Sequence, residues 1–411
     1  MKNNQLERQG HAVREAARQI ALSSDAQRRA VLMHVANQLE ERREELLAVN
    51  AREVEAYQES GPGRDRLLLT SERVTGMAGA LFDIADAADP LNETVDHDTR
   101  PNGLRVERMR VPLGVIGVVY ENRPNVTSDV AGLCVRSGNA AYLRGSSSAQ
   151  KTNQFIVDLW RESLEKEGLP ADCVALVQDS SHETATAFMQ MTGVLDCLIP
   201  RGGKSLIAAM REHARVPYVL DGDGNCHIYV DEFADVPKAL AIVRNAKTSR
   251  PGVCNAVETV LVHRDVAQRF LPEMALSMPE VELRADDDVR EILPTATPAT
   301  ESDFENEFLD LILAVKVVDS LDEAVAHVAR YGTGHSEAIV TEDVAHGEYW
   351  VHHVDAAAVL VNASTRFIDG GELGLGGEVG ISTQKLHARG PMGLRALTCL
   401  KWVVRGEGQI R

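Results

Sequence analysis

Short apolar segments alternate with segments of helical length from Val115 onward, and this alternation constrains the fold more than any other feature. The segments that read as strands are Val115–Tyr120, 140–143, 174–177, 198–199, 219–220 and 227–230. Short buried strands separated by helices are typical of a parallel sheet with helices on both faces. The sequence therefore predicts an α/β fold.

A second series of the same kind begins after Lys247. Its predicted strands lie at 258–262, 314–318, 338–340 and 358–361. The first ninety residues instead read as helix, with a capping box formed by Ser24 and Gln27. Because 411 residues exceed what one hydrophobic core organises, we expect at least two domains.

Composition excludes several classes of function. The formal charge of −18 and the pI near 5.2 argue against nucleic acid or an anionic membrane as partner. The first residues are charged throughout, and the longest uncharged apolar run, 111–120, is far short of the roughly 20 residues of a membrane span. We therefore expect a cytoplasmic protein that uses neither partner.

The cysteines are widely spaced, without a CxxC pair or a metal-type Cys/His cluster, which predicts reduced thiols and no metal site. They are Cys134, Cys173, Cys197, Cys226, Cys254 and Cys399. Cys134, Cys173, Cys197 and Cys399 lie in apolar runs and read as core residues, and Cys226 adjoins a glycine-rich turn and is ambiguous.

Cys254 has surroundings that suit a nucleophile. Pro251 and Gly252 end a predicted helix just before it, and Lys247 and Arg250 bring positive charge nearby. Positive charge favours the thiolate, which is the reactive form. The ordinary alternative is a buried core cysteine, since free cysteine is among the most buried residue types.

Two glycine-containing turns lead from a predicted strand into a predicted helix. They are Arg144-Gly-Ser-Ser-Ser148 and Pro200-Arg-Gly-Gly-Lys-Ser205. Backbone N–H groups at the start of a helix, with a basic side chain beside them, suit a phosphate or pyrophosphate. Neither turn is a GxGxxG sequence or a P-loop, so a tight strand-to-helix turn is the alternative for each.

Long segments of the chain resemble the aldehyde dehydrogenase superfamily and, within it, the γ-glutamyl phosphate reductases (glutamate-5-semialdehyde dehydrogenases). The segments that carry the resemblance surround Cys254 and lie at 112–127, 201–204, 224–231, 309–316, 331–337 and 380–393. The resemblance implies a Rossmann-like cofactor domain at 1–96 and 112–225 and an α/β catalytic domain at 226–390. It also implies a small β oligomerisation flap at 97–111 and 391–411.

The resemblance further implies an NADPH-dependent reaction through a thioester on Cys254. L-Glutamyl 5-phosphate would become L-glutamate 5-semialdehyde and phosphate, in the second step of proline biosynthesis from glutamate. Both chemical steps place charge on the carbonyl oxygen, so an oxyanion hole is needed. The Cys254 backbone N–H and either Asn122 or Asn125 are the candidate donors.

One absence bears on the fate of the thioester. Members of the superfamily that form free acids carry a general-base Glu well ahead of the cysteine, and the corresponding stretch here, 219–225, has none. Asp221 and Asp223 are the alternative bases, although we interpret both as turn residues.

The resemblance also assigns cofactor-binding residues. It places the adenosine ribose near Arg144, Gly145 and Ser148, and the nicotinamide ribose near Glu307. It places the cofactor phosphates near Arg201, Gly202, Gly203, Lys204 and Ser205. Family members often carry Glu where this chain has Ser148, and the loss of that carboxylate beside Arg144 favours NADP over NAD.

The expected partners are a small-molecule substrate, further copies of the chain in a homo-oligomer, and glutamate 5-kinase. Basic candidates for the substrate's carboxylate and phosphate are Arg250, Lys385, His387 and Arg389, and a solvated loop is the alternative for the last three. His335 reads as a buried histidine that fixes a turn. Rival functions are a CoA-acylating aldehyde dehydrogenase, a Cys-His hydrolase and a non-enzymatic module.

Overall fold

A computed structural model describes residues 2–58, 62–220 and 222–411, and describes only the backbone of residues 2–4, 62 and 204. The described helices are α1 (Lys2–Ile20), α2 (Asp25–Glu41), α3 (Arg43–Ala56), α4 (Pro62–Leu67), α5 (Ser71–Asp86), α6 (Pro124–Arg136), α7 (Gln150–Lys166), α8 (His182–Met189), α9 (Lys204–His213), α10 (Val236–Thr248), α11 (Arg264–Ser277), α12 (Asp287–Ile292), α13 (Glu301–Glu305), α14 (Leu321–Tyr331) and α15 (Val344–His353). None of these described helices combines the length and the apolar character that crossing a bilayer requires.

The strands follow the same order. They are β1 (Thr94–Thr99), β2 (Arg105–Pro112), β3 (Val115–Tyr120), β4 (Ala140–Arg144), β5 (Val174–Leu176), β6 (Cys197–Arg201), β7 (Cys226–Val230), β8 (Val257–His263), β9 (Glu282–Ala285), β10 (Thr297–Pro298), β11 (Ile312–Val318), β12 (Ser336–Val340), β13 (Ala358–Val361), β14 (Ile381–Ser382), β15 (Gly390–Pro391) and β16 (Thr398–Arg405).

The chain forms two compact units. The first comprises Met1–Leu220, Gly374–Gly380 and Met392–Arg411, and the second comprises Asp221–Leu373 and Ile381–Pro391. The predicted catalytic segment at 226–390 was continuous, whereas Gly374–Gly380 packs in the first unit. Gly376 and Gly377 lie against Ile84 of α5, and these contacts explain the difference.

The first unit is built on a parallel sheet in the order β5-β4-β3-β6. The apolar run Val115–Tyr120 is buried along its whole length, as predicted. From β3 the chain first adds β4 and β5 on one side of the sheet and then adds β6 on the other side of β3. The strand order therefore reverses between β3 and β6, which makes this position a topological switch point. Ligands of open α/β sheets bind at such a point, outside the carboxyl ends of the strands.

The helical cover of this sheet begins as the sequence predicts. Ser24 accepts a hydrogen bond from the Gln27 N–H, and the Gln27 side chain accepts one from the Ser24 N–H, which completes the capping box of α2. Helix α2 packs on α5 and α7. The two segments expected to form the β flap, 97–111 and 391–411, also contain strands. These strands lie in an antiparallel sheet of order β1-β2-β16.

The second unit contains a parallel sheet of order β10-β9-β11-β8-β7-β12-β13. Strand β7, which the pattern of segments placed at the end of the first series and the resemblance placed at the start of the catalytic domain, lies in the interior of this second sheet between β8 and β12. Strands β9 and β10 were not predicted, because they are short and carry charged or exposed residues.

The strand predicted at 219–220 is absent from the described structure. The chain there makes only an isolated bridge between Leu198 and Tyr218, flanked by the bonds Leu198 N–H to Pro217 C=O and Val219 N–H to Leu198 C=O. Pro217 has no N–H to donate, so the pairing does not extend into a ladder.

His327 of α14 is buried in the second unit, with its ring 5.5 Å from that of His227, 5.3 Å from Phe304 and 4.5 Å from Tyr331. Burial lowers its pKa to about 3, and the positive charges of His227, Lys316 and Arg330 act in the same direction. The folded protein therefore holds a neutral imidazole at pH values where an unfolded chain protonates it.

Stability should therefore fall as the pH drops from about 6.5 toward about 3, by up to about 1.4 kcal/mol per unit, because protons bind the unfolded state preferentially. Urea unfolding of the wild type and His327→Gln at pH 7 and pH 5 would measure this. We expect a shallower pH dependence in His327→Gln and no change in the control His97→Gln, which alters an exposed residue. Identical slopes in all three proteins would contradict the assignment.

Candidate functional site

Cys254 lies in the turn that joins helix α10 to strand β8. Helix α10 ends at Thr248 and β8 begins at Val257, so the turn is short and is held at both ends by regular structure. Cys254 is half-buried and packs against the core of the second unit. The thiol is therefore accessible yet fixed, which is the combination that a nucleophile needs.

A second loop, at 222–226, passes directly beneath this turn. A Cβ on Gly224 would overlap the carbonyl oxygen of Cys254, so only glycine fits there. The Cys226 thiol donates to the same carbonyl oxygen at 3.1 Å and lies 3.6 Å from Nδ1 of His335. Cys226, which the sequence left ambiguous, is thus a fully buried neighbour of the candidate nucleophile.

The 222–226 loop is itself held by side chains from several elements. Glu307 accepts a hydrogen bond from the Gly224 N–H at 2.9 Å. Asn225 donates to the carbonyls of Phe304 and Tyr331, and Thr333 donates to the carbonyl of Asp223. The Glu307 carboxylate is therefore directed at the loop that supports Cys254.

Lys247 and Glu258 form an ion pair across the base of the Cys254 turn. Nζ of Lys247 lies 2.6 Å from Oε2 of Glu258, and both side chains are fully buried. The other Glu258 oxygen accepts from the Leu309 N–H at 3.1 Å. Burial raises the pKa of Glu258 to about 7. The sequence predicted that Lys247 would bring free positive charge to Cys254, but its charge is neutralised by Glu258.

Two arginines supply positive charge near Cys254 instead. Arg250, predicted from the sequence, is exposed at the start of the turn. Arg366, which the sequence did not single out, donates to the side chains of Asn255 and Ser249. Arg366 follows Thr365 in a segment whose sequence is compatible both with a functional site and with an ordinary surface loop.

The remaining basic candidates lie together on a different segment of the second unit. Lys385 and Arg389 both pair with Asp355, at 2.6 and 2.8 Å, and their hydrogen bonds lower the pKa of that carboxyl. His387 is exposed between them. This segment contacts the 222–226 loop, since the Gly222 N–H donates to the Ile381 carbonyl.

His335 is fully buried, as predicted, and its Nδ1 lies 2.8 Å from the Ser336 hydroxyl. Asp223 is exposed and its carbonyl oxygen is engaged by Thr333. Asp221 lies outside the described residues.

Cys134, Cys173 and Cys197 are buried core residues, whereas Cys399 is only half-buried because it lies on the outer strand β16.

In the first unit, Asn122 and Asn125 differ in what their side chains do. The Asn122 side-chain oxygen accepts from the hydroxyls of Ser146 and Ser148, at 2.7 and 2.5 Å. The Asn125 amide instead donates to Asp129 at 3.1 Å on the exposed surface of α6. The Asn122 amide group is therefore oriented by the turn after β4, while one of the two N–H groups of the Asn125 amide is bonded to Asp129.

The two glycine-containing turns also differ. The first N–H groups of α7, those of Lys151 and Thr152, donate to the Glu53 carboxylate at 2.8 and 2.9 Å. An anionic ligand would have to displace that carboxylate, so this helix start is not a phosphate site. The Arg144 guanidinium donates to the carbonyl of Ser180 at 2.5 Å, and burial lowers its pKa.

Helix α9 begins at the switch point with Gly203 as its cap and no side-chain capping bond. Open space surrounds the Gly203 Cα, and the Gly203 N–H donates to Glu121 at 3.2 Å. Arg201 ends β6 immediately before, and the side chain of Lys204 lies outside the described residues. The N–H groups of this helix start fit a dinucleotide phosphate better than those of α7 do.

Comparison with known proteins agrees with this architecture. A family model, the aldehyde dehydrogenase family, matches residues 1–306. The γ-glutamyl phosphate reductases of Listeria monocytogenes and Thermobifida fusca are 49% and 50% identical to the chain, each over 99% of both sequences.

A solved structure gives the same result. The crystal structure of the γ-glutamyl phosphate reductase of Thermotoga maritima superimposes with a TM-score of 0.95 at 44% identity, covering 99% of each chain. The chain therefore belongs to the aldehyde dehydrogenase family and, within it, to the γ-glutamyl phosphate reductases.

Proposed function

We propose that the protein catalyses the NADPH-dependent reduction of L-glutamyl 5-phosphate to L-glutamate 5-semialdehyde and phosphate, the second step of proline biosynthesis from glutamate. The observation that carries the proposal is the accessible Cys254 thiol in a turn fixed from below by Gly224 and Cys226. Family membership supplies the substrate. The first unit would bind the cofactor and the second would carry the nucleophile.

The Cys254 thiolate attacks the γ-carbonyl carbon, the bond from that carbon to the phosphate oxygen breaks, and phosphate leaves with the electron pair. The product of this step is a thioester on Cys254. A reduced nicotinamide, when bound, would supply the hydride that reduces the thioester carbon to the oxidation level of the aldehyde. Collapse of the resulting thiohemiacetal returns the thiolate of Cys254.

Both steps place negative charge on the carbonyl oxygen, which needs preorganised donors. The Cys254 N–H and the Asn122 amide are our assignments. Asn122 is supported because Ser146 and Ser148 bind its oxygen and so orient its NH₂ group, whereas one of the two N–H groups of the Asn125 amide is bonded to Asp129.

The thioester must survive until it is reduced, so a water-activating base beside it would be harmful. In the stretch 219–225, of which residues 219–220 and 222–225 are described, Asp223 is the only described carboxylate, and it is exposed. The exposure of Asp223 supports phosphate, and not water, as the acceptor of the acyl group when the reaction runs in reverse.

A nicotinamide dinucleotide is the cofactor that the family implies, and its phosphates suit the start of α9 at Gly202, Gly203, Lys204 and Ser205. We assign the adenosine ribose to the turn at Arg144, Gly145 and Ser148, where a serine replaces an acid. The lack of a carboxylate at that position supports NADP. Glu307 is the candidate for the nicotinamide ribose.

For the substrate's carboxylate and phosphate we retain Arg250, Lys385, His387 and Arg389 as candidates. Homo-oligomerisation through the β1-β2-β16 sheet, association with glutamate 5-kinase and a cytoplasmic location remain predictions. The exposed Trp402 and Val404 on β16 support the first of these, because exposed apolar residues on one strand suit a protein interface.

Run in reverse with glutamate 5-semialdehyde and NADP, the protein should reduce NADP only when inorganic phosphate is present, because we interpret Asp221 and Asp223 as turn residues and not as water-activating bases. Cys254→Ala should lose about three orders of magnitude or more of this rate, since no other residue supplies the nucleophile. The absorbance of the reduced nicotinamide is the measurement, and Cys399→Ala is the matched control. Equal rates with and without phosphate would mean that water is the acceptor and would refute the proposal.

Gly224→Ala should lower kcat about 100-fold, because the new Cβ overlaps the Cys254 carbonyl and shifts the nucleophile by a fraction of an ångström or more. Gly76→Ala, in helix α5 with open space around it, is the control and should keep full activity. A Gly224→Ala protein with wild-type kcat would show that the 222–226 loop does not position Cys254.

A further inference from the structure

Arg366 lies next to the nucleophile turn because the segment after β13 is clamped onto Asn255. The Thr365 hydroxyl donates to the Asn255 carbonyl at 2.7 Å, and the Asn255 amide donates to the Ile368 carbonyl at 2.8 Å. The Arg366 guanidinium donates to the Asn255 side-chain oxygen. Asn255 directly follows Cys254, so these three bonds fix the guanidinium beside the nucleophile.

The guanidinium has neutral partners at these contacts. Its Nε donates to the Ser249 hydroxyl at 3.2 Å, and no carboxylate of the described chain forms an ion pair with it. It is half-buried, and burial followed by the charge of Arg250 lowers its pKa, while the charges of Asp369, Cys254 and Glu372 act in the opposite direction. Arginine nevertheless stays charged.

A partly buried guanidinium whose described hydrogen-bond partners are all neutral can still bind an anion. A bound anion would supply negative charge, and planar guanidinium groups bind phosphate oxygens in pairs. The position of Arg366 beside Cys254 limits which anion this is. In an acyl phosphate, a single oxygen joins the phosphorus to the carbon that the sulfur attacks, whereas the α-carboxylate lies at the far end of the glutamyl chain.

We infer that Arg366 binds the phosphate group of the acyl phosphate and stabilises it as it leaves, an inference that rests on the proposed function. As the carbon–oxygen bond breaks, the departing phosphate gains negative charge, and the guanidinium compensates it. In the reverse direction the same contact holds inorganic phosphate while its oxygen attacks the thioester carbon and the thiolate of Cys254 departs. Arg366 is therefore a substrate-binding residue.

Binding is tested without turnover by the rate at which iodoacetamide alkylates Cys254, followed by peptide mass spectrometry. Inorganic phosphate should slow alkylation of the wild type and fail to slow it in Arg366→Gln. L-Glutamate is the second probe. Protection by glutamate alone, lost in Arg366→Gln, would assign Arg366 to the α-carboxylate and overturn the inference, as would equal protection of both proteins by phosphate.

Kinetics of the reverse reaction give an independent test. Arg366→Gln should raise the KM for phosphate about 10- to 100-fold, with a much smaller change in the KM for the semialdehyde. Arg366→Lys keeps the charge without the paired geometry, so its KM for phosphate should lie between those of the wild type and Arg366→Gln. Arg269→Gln, an exposed arginine on α11, is the matched control.

The outcomes separate the inference from the proposed function. A wild type whose reverse reaction ignores phosphate refutes the proposed function, and the inference falls with it. A phosphate-dependent wild type combined with an unchanged KM for phosphate in Arg366→Gln refutes the inference alone. If Arg366→Gln proves unfolded by circular dichroism, Arg366→Lys carries the test, and an unchanged KM for phosphate in that protein also refutes the inference.

Discussion

Lys247 and Glu258 form an ion pair in the core of the second unit, Lys247 as the penultimate residue of α10 and Glu258 as the second residue of β8, on either side of the turn that presents Cys254. Neither charge has access to water, so each is tolerated only because the other is present. The pair therefore fixes the distance between the end of α10 and the start of β8. The same carboxylate binds the Leu309 N–H, and Glu307, two residues earlier, binds the loop beneath Cys254. The position of Cys254 therefore depends on the linked contacts of Lys247, Glu258 and Glu307.

The two strand-to-helix turns of the first unit show why similar sequences need not form similar sites. Both carry glycine beside an arginine, and both precede a helix. At the start of α7 the Glu53 carboxylate, from a distant part of the chain, already satisfies the N–H groups. At the start of α9 the described residues make no side-chain capping bond, although the Gly203 N–H donates to the Glu121 carboxylate. A carboxylate thus accepts from two described N–H groups at α7 and from one at α9, which favours α9 as the proposed phosphate site.

Local patterns predicted much of the fold correctly. Period and composition located β3, the α2 capping box and the strands of the small antiparallel sheet, because these depend on neighbouring residues. Short strands with charged residues, such as β9, were missed, and 219–220 was wrongly predicted as a strand. The interior position of β7 in the second sheet was not predictable, since strand order is decided by contacts between distant segments.

The candidate site divides in the same way. Cys254 was identifiable because proline, glycine and basic residues lie near it in sequence. The pairing of Lys247 with Glu258, the contact of Cys226 with the Cys254 carbonyl and the position of Arg366 all depend on folding. A single sequence shows that Arg366 is charged, but not that its partners are neutral.

The central claim is that Cys254 carries the glutamyl group as a thioester. The most direct measurement is the mass of the intact protein after reaction with glutamate 5-semialdehyde and NADP in the absence of phosphate, quenched in acid. We expect one glutamyl group per chain, located on the peptide that contains Cys254, lost on adding phosphate and absent from Cys254→Ala. A protein that turns over without ever carrying the group, or that carries it on another residue, would contradict this account.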